Sequence, residues 1–405
     1  MYLDFNNTEK AFGYKKDYAL KKAKLLFWIM GFAPLVKIGT LITPFLIKSG
    51  FPIKKLIRHT LFEQFVGGES LEKTIDVCNQ LEQYRVQVIL DYGVEGGEYD
   101  NQQYDQAAEE FIKVINYAVT KRNIPFVSIK ITGLVSFELL ERINKQGATK
   151  SSYALTYVND SLEQLDSNDK NNWEKLMLRV DEIFKTASEL GIGVMFDAEE
   201  SWIQDPIDFI AIAMMNKYNI KKAVVYNTMQ LYRSNRLEFM KAGFEHAKKE
   251  GYQFGVKLVR GAYLEKETVR SHKMGYPNPI QQNKKATDRD YNAAVQLCLE
   301  NIETVSTIIA SHNENSNLTA ATYVVGRGIP TNHPNLNFSQ LYGMSDHITF
   351  NLADAGFNVS KYLPFGPIEE VIPYLLRRAQ ENSSIAGQPG RELDLLKKEC
   401  LRRGI

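Results

Sequence analysis

The sequence predicts an α/β fold, a (β/α)8 TIM barrel preceded by a helical extension, on three observations. Eight short apolar runs recur along the chain, most of them separated by helical stretches. Most of the runs end in a polar or charged residue. They are near-continuous and not alternating, as parallel strands covered on both faces should be.

The first run, VQVIL (86–90), follows the helical VCNQLEQYR and precedes DYGVEGGEYD, whose three glycines turn the chain. A helical stretch at 102–122 leads to PFVSIKITG (125–133). Residues 137–181 read as mostly polar helix with a loose patch at SNDKNN (167–172). The rhythm then becomes regular: GIGVMFDAEE (191–200), AVVYNTMQ (223–230), FGVKLVRGAY (254–263), STIIASHN (306–313), NLNFSQLYGM (335–344) and NVSKYLPFG (358–366). A doubly wound sheet is the alternative, but no GxGxxG follows a strand, and GRG at 326–328 is too short to count. The expected organisation is a helical region at 1–84, the barrel at 85–385 and a short helical tail at 386–405.

Composition narrows the function classes. A hydrophobic fraction of 44% and an aromatic fraction of 11% exclude a disordered chain. With 49 basic and 48 acidic residues, overall charge gives no reason to expect nucleic acid as a partner. Cys78, Cys298 and Cys400 are too far apart for a metal motif or a disulfide scaffold, which points to a reducing, intracellular compartment. The six histidines form no HExxH or HxH, so no metal is expected. No GxSxG elbow is present. Residues 1–24 lack a secretory pattern. Residues 25–47 are apolar apart from Lys37 and a few Gly and Thr positions, and Pro34 and Pro44 interrupt them. They read as a membrane span, as packing against the main domain, or as a peripheral membrane-contact surface.

The ends of the runs carry the functional signal. Lys130, Asp197, Gln230, Lys257, Arg260 and His312 lie at or just past the C-terminal parts of separate runs. A parallel barrel gathers such positions on one rim. Each also has an ordinary reading: an edge lysine, a helix-capping aspartate, a hydrogen-bonded histidine or a surface ion pair. In the helix after the last run, which starts near Pro367, Tyr374, Arg377, Arg378 and Glu381 stand at offsets 0, 3, 4 and 7, on one face. Paired guanidiniums suit a carboxylate, with phosphate as the competing anion. After VKLVR, Gly261 and Ala262 leave room for close approach, and Tyr263 offers a flat wall suited to a planar cofactor.

FVSIKITGL, MFDAEESWIQ, KLVRGAYLEKE, IIASHNEN, YLPFG and YLLRRAQEN, in that order over roughly residues 85–385, resemble the proline dehydrogenase family in its monofunctional form. The resemblance implies a distorted flavin-containing barrel. It implies that L-proline is oxidised to Δ1-pyrroline-5-carboxylate with reduction of FAD, and that electrons pass to a membrane quinone. Arg377 and Arg378 then hold the proline carboxylate, with Lys130 and Tyr374 completing that pocket. Glu95 and Glu381 pair with the arginines. Leu258 and Tyr263 pack around the ring, and Tyr362 favours proline over hydroxyproline. Asp197, Ala198, Gln230, Lys257, Val259, Arg260, Gly261, Ala262, Ser311 and His312 match cofactor-contacting positions. Asp197, Lys257 and Lys130 stand nearest the chemistry, Asp197 and Lys130 orienting one another. Lys257 departs from the arginine of some members, which keeps the charge but loses the forked donor. The implied location is cytoplasmic, peripheral on the inner face of a membrane, or mitochondrial in a eukaryote. The competing readings are another flavin barrel, such as a methylenetetrahydrofolate reductase-like oxidoreductase, and a flavin-free anion-binding barrel.

Overall fold

The structure, a computed structural model, describes residues 3–48, 53–93, 99–144, 156–384 and 388–405. Helix α1 (Thr8–Phe12) starts where the Asn7 side chain accepts from the Lys10 N–H. Helix α2 (Asp17–Met30) buries Leu20, Ala23, Phe27 and Met30, a stripe at offsets 0, 3, 7 and 10. Helices α3 (Ala33–Lys48), α4 (Ile53–Ile57) and α5 (Glu63–Phe65) follow, the last two joined by a π-helical turn, Arg58–Phe62. Helix α6 (Ile75–Gln83) leads into strand β1 (Gln87–Tyr92).

The strand–helix rhythm then runs through α7 (Asn101–Val119), β2 (Phe126–Ile129), α8 (Phe137–Asn144), α9 (Thr156–Glu163) and α10 (Ser167–Leu190). It continues with β3 (Gly193–Phe196), α11 (Ser201–Tyr218), β4 (Val225–Gln230), α12 (Arg236–Glu250) and β5 (Phe254–Val259). Next come α13 (Leu264–Met274), α14 (Lys284–Glu300), β6 (Val305–Ala310), α15 (Glu314–Gly326) and β7 (Leu336–Leu341). The series ends with α16 (Asp346–Asp354), β8 (Val359–Phe365), α17 (Ile368–Ser384) and α18 (Gln388–Arg403). The strands close into a barrel in the order β1 to β8. Their pairing is parallel from β2 through β6 and between β8 and β1. The fold class expected from the sequence is therefore the one adopted. Val194, Phe196, Val225, Val256, Leu258, Ile308 and Ile309 have no exposed surface, which explains why their runs are apolar throughout.

The patch expected to be loose is helical. SNDKNN is not loose: it forms the opening turns of the 24-residue α10, whose N-cap Asp166 accepts from the Asp169 N–H at 2.8 Å. Ser, Asn and Asp look like loop in sequence because the same side chains cap helices.

The chain folds as two compact units. The first comprises Met1–Val94, His312–Glu314 and Ser339–Ile405. Its core joins Phe12, Leu20, Phe27, Phe62 and Phe65 to Ile368, Val371 and Leu375 of α17 and to Leu395, Leu396 and Cys400 of α18. Arg403 of α18 donates to the carbonyls of Phe12 and Lys15 at 2.9 and 2.8 Å. The second unit comprises Glu95–Ser311 and Asn315–Phe338. Within it Phe184 of α10 stacks on Phe196 of β3 at 4.8 Å. Asp208 has no exposed surface and is held by Arg236 at 2.7 and 3.0 Å, by Asn227 at 2.8 Å and by Gln204 at 3.0 Å. A charge so buried needs this full set of donors.

Candidate active site

In the second unit, functional side chains cluster where β2 to β6 end. Asp197 follows β3 directly, and its N–H still donates to Ile129 of β2 at 2.9 Å. Lys257 lies within β5, 5% exposed, and its ammonium pairs with Asp197 Oδ1. The two residues come from alternate strands, which supply the same layer of a barrel interior. Asp197 and Lys257 are thus brought together.

Glu199, two residues further on, is a functional candidate that only its burial reveals. It is 6% exposed, and its carboxylate accepts from the Thr132 hydroxyl at 2.9 Å and the Thr132 N–H at 3.2 Å. Burial pushes its carboxyl up to about 7, against the opposing charge of Lys130 and the Thr132 hydrogen bonds. Lys130 therefore lies in the field of Glu199. Gln230, the last residue of β4, donates to the Glu199 carbonyl at 2.7 Å. The signal for Glu199 was an acid placed two residues after Asp197. In sequence, the paired acids of FDAEE look like an exposed helix start.

Arg260, just past β5, donates to Asp288 at 2.8 Å, to Ser311 at 2.7 Å and to Ser316 at 3.0 Å. Its guanidinium lies 4.3 Å from the centre of the Tyr291 ring. It is a fixed cation. Gly261 has φ +145°, and a Cβ there would run into the Tyr232 ring, so only glycine fits. Gly261 and Ala262 are exposed, Ala198, Val259 and Tyr263 half-buried, and Leu258 fully buried. The strand exit thus presents a bare, small-residue surface beside fixed cations.

In the first unit, α17 carries the second group. Tyr374, Arg378 and Glu381 share one face, as the offsets predicted. Arg378 is 7% exposed, donates to Glu381 at 2.6 Å and lies 5.0 Å from the centre of the Tyr374 ring. Arg377 is half-buried and contributes to the field at Tyr374. The Tyr374 hydroxyl is buried and finds no hydrogen-bond partner among the described residues. Burial raises its pKa well above the ordinary tyrosine value, so it stays a donor. Asp91 of β1, 5% exposed, also acts on Tyr374 and was not singled out from the sequence. A Cβ at Gly93 would meet Val371 of α17 at 2.8 Å, so the end of β1 and the start of α17 are in close contact. Tyr362 is half-buried in β8. Glu95 lies outside the described residues.

His312 belongs to the same unit. Its Nδ1 lies 2.8 Å from Ser345 Oγ, and the Ser345 N–H donates to Glu392 of α18. Ser345 has φ +51°, an uncommon conformation for a non-glycine residue, which this polar cluster holds in place. His347 Nε2 lies 3.0 Å from Glu314, which Arg391 also holds at 2.6 Å. No group of three metal-ligating side chains occurs among the described residues.

A family model described as "Proline dehydrogenase" matches residues 74–390. The chain is 33% identical to "Proline dehydrogenase 1, mitochondrial" of Dictyostelium discoideum, over 87% of this chain and 66% of that protein. It is 30% identical to "Hydroxyproline dehydrogenase" of Xenopus laevis, over 97% of this chain and 88% of that one. Among solved structures it is similar to proline utilization A (PutA) from Bdellovibrio bacteriovorus inactivated by N-propargylglycine, with TM-score 0.68 and 23% identity. That match covers 80% of this chain and 33% of the PutA chain, and carries the fold alone.

Proposed function

Because the chain belongs to the proline dehydrogenase family, we propose that it oxidises L-proline to Δ1-pyrroline-5-carboxylate with bound FAD, and that a membrane quinone receives the electrons. The observation that carries this reading is the α17 face. A buried guanidinium that donates to Glu381 lies beside a buried tyrosine whose hydroxyl has no hydrogen-bond partner among the described residues. A small carboxylate would complete that hydrogen bonding.

The exit of β5 fits a flavin. Gly261 offers exposed backbone where no Cβ is allowed, and Arg260 is already fixed by three side chains. Asp197, Ala198, Gln230, Lys257, Val259, Arg260, Gly261, Ala262, Ser311 and His312 would hold it. FAD, when bound, supplies the two-electron acceptor for the hydride.

Arg377 and Arg378 bind the substrate carboxylate, with the Tyr374 hydroxyl donating to it. Glu381 neutralises part of the arginine charge and fixes the Arg378 fork. Leu258 and Tyr263 pack against the ring, which limits its orientations. Oxidation takes a hydride from the ring carbon next to nitrogen and a proton from nitrogen, leaving a C=N bond; solvent accepts the proton. Lys130, with Glu199 in its field, and the Lys257–Asp197 pair set the potential around the reacting carbon. Residues 25–47 bring the protein to the membrane where the quinone resides. This is the inner face of a cytoplasmic membrane, or a mitochondrial one in a eukaryote, as for the relatives named mitochondrial.

Hydroxyproline is the second reading, favoured by the Xenopus relative. Tyr362 argues against it by filling the space a ring hydroxyl needs. Anaerobic titration of the purified protein with L-proline and, separately, with trans-4-hydroxy-L-proline tests both. Bleaching of the flavin absorbance at lower L-proline concentrations supports the main reading. Colourless protein, or bleaching by a nicotinamide nucleotide but not by proline, ends it.

A further inference from the structure

Helices α2 and α3 leave a set of large apolar side chains uncovered. Along α2, Lys21, Leu25, Trp28 and, just past its end, Phe32 follow one another at offsets 0, 4, 7 and 11. Leu25 is 56% exposed, Trp28 51% and Phe32 48%. On α3, Leu35, Ile38, Leu41 and Ile42 are 45 to 72% exposed. The opposite stripe of α2 is buried in the core of its unit, so the exposed side chains form the outer face of a packed helix.

Charge along this segment is mostly positive. Residues 15–48 hold seven lysines and a single acid, Asp17. Lys15 is engaged by Asp346 and Lys22 by Glu63. Lys16, Lys21 and Lys37 are exposed, Lys24 is half-buried, and none of the four has an ion-pair partner among the described residues. An apolar face with Trp and Phe, flanked by lysines, is the composition of a helix that lies in the headgroup region of an anionic bilayer. Length argues against spanning. Fourteen and sixteen residues give helices of about 21 and 24 Å, against about 30 Å of hydrocarbon. The two are bent by 92° at the break around Gly31, and no single helix among the described residues is long and apolar enough to cross.

We propose that the α2–α3 elbow docks the protein on an anionic lipid bilayer. It lies in the interface, with Leu25, Trp28, Phe32 and Leu35 inserted and Lys16, Lys21, Lys24 and Lys37 over the headgroups. This names the lipid partner of the membrane contact proposed above and rests on that reading, but not on the substrate assignment.

The test is flotation of the full-length flavin-loaded protein with two kinds of vesicle: phosphatidylcholine alone, and phosphatidylcholine mixed with phosphatidylglycerol. The protein should float with the mixed vesicles at least tenfold more tightly, and release in high salt. Each lysine near the surface is worth roughly a fivefold change in binding, so neutralising two of them in a K21Q/K24Q variant should weaken binding on the order of 25-fold. A W28S/F32S variant should lose flotation on both. Proline-dependent reduction of a soluble electron acceptor should proceed at the same rate in all three proteins. No flotation, or equal flotation on both vesicles, overturns the proposal. So does concentration-dependent dimerisation that W28S/F32S abolishes without any lipid effect, because a second copy would then cover the face. Flotation without bleaching by proline would leave the docking surface standing and remove the substrate reading.

Discussion

The Lys257 ammonium and the Asp197 carboxylate form an ion pair whose side chains are only 6% and 13% exposed. The charges come from β5 and from the exit of β3, and each is held in place by its strand. Removing one partner strands the other in a poorly solvated place, which typically costs about 3–5 kcal/mol. Lys257→Met should therefore lower the unfolding midpoint by several degrees and reduce flavin content. Lys257→Arg, which keeps the charge, should recover most of both. Calorimetry with a flavin-to-protein ratio checks this. Equal midpoints for Lys257→Met and the parent protein would mean the pair has no structural weight.

Arg378→Met should remove a charged contact to the substrate carboxylate, worth a few kcal/mol. That corresponds to a fall in kcat/KM for proline on the order of 10²-fold or more. Flavin content should change little. Steady-state rates at low proline read the effect, and near-parental turnover there would dissociate α17 from substrate binding.

Gly261→Ala places a Cβ against the Tyr232 ring in a backbone conformation that side chains avoid. The strain is of order 1–3 kcal/mol. We expect a lower unfolding midpoint and purified protein with less flavin than the parent. Full flavin occupancy in this variant would count against the cofactor lying at the β5 exit.

Glu199 gives a pH dependence of definite sign. Its carboxyl is pushed up to about 7 by burial, from an unfolded value of 4.5. Folding therefore favours the protonated form. The stability this confers is present below about pH 4.5 and is lost as pH rises through about 7. Glu199→Gln should flatten the fall in melting temperature between these limits. Identical slopes in both proteins would show that folding leaves the Glu199 carboxyl unshifted. Glu314 works in the opposite sense: Arg391 and His347 outweigh its burial and hold it down to about 2. Its contribution is present above about pH 4.5 and fades as pH falls towards about 2.

The barrel was legible because strands covered on both faces must be apolar along their whole length, and VMF, IIA and GVKLV declare it. Boundaries were less clear. The first apolar run ends at Leu90, but β1 continues through Asp91 and Tyr92. The sequence pattern places Lys130 within its run, but β2 stops at Ile129. The α17 face was legible because helical spacing fixes which side chains share a side. Glu199 and Asp91 were not, since an acid becomes informative only once its burial is known. Ser345 was hidden for a related reason: its positive φ and its contacts with His312 and Glu392 depend on residues far away in the chain.

The bonds from Arg403 to Phe12 and Lys15 join positions up to 391 residues apart. Synthesis proceeds from the N-terminus, so α1 and α2 leave the ribosome long before the helix that covers their inner stripe exists. Until then both sides of α2 are uncovered: one later meets Leu395, Leu396 and Cys400, the other carries Trp28 and Phe32. The nascent segment is therefore stickier than the finished protein, and early contact with lipid or a chaperone would shield it. Ribosome-bound chains halted before α18 should be cleaved by protease within α2, and chains released after it should resist; equal resistance would show that α2 is covered without α18.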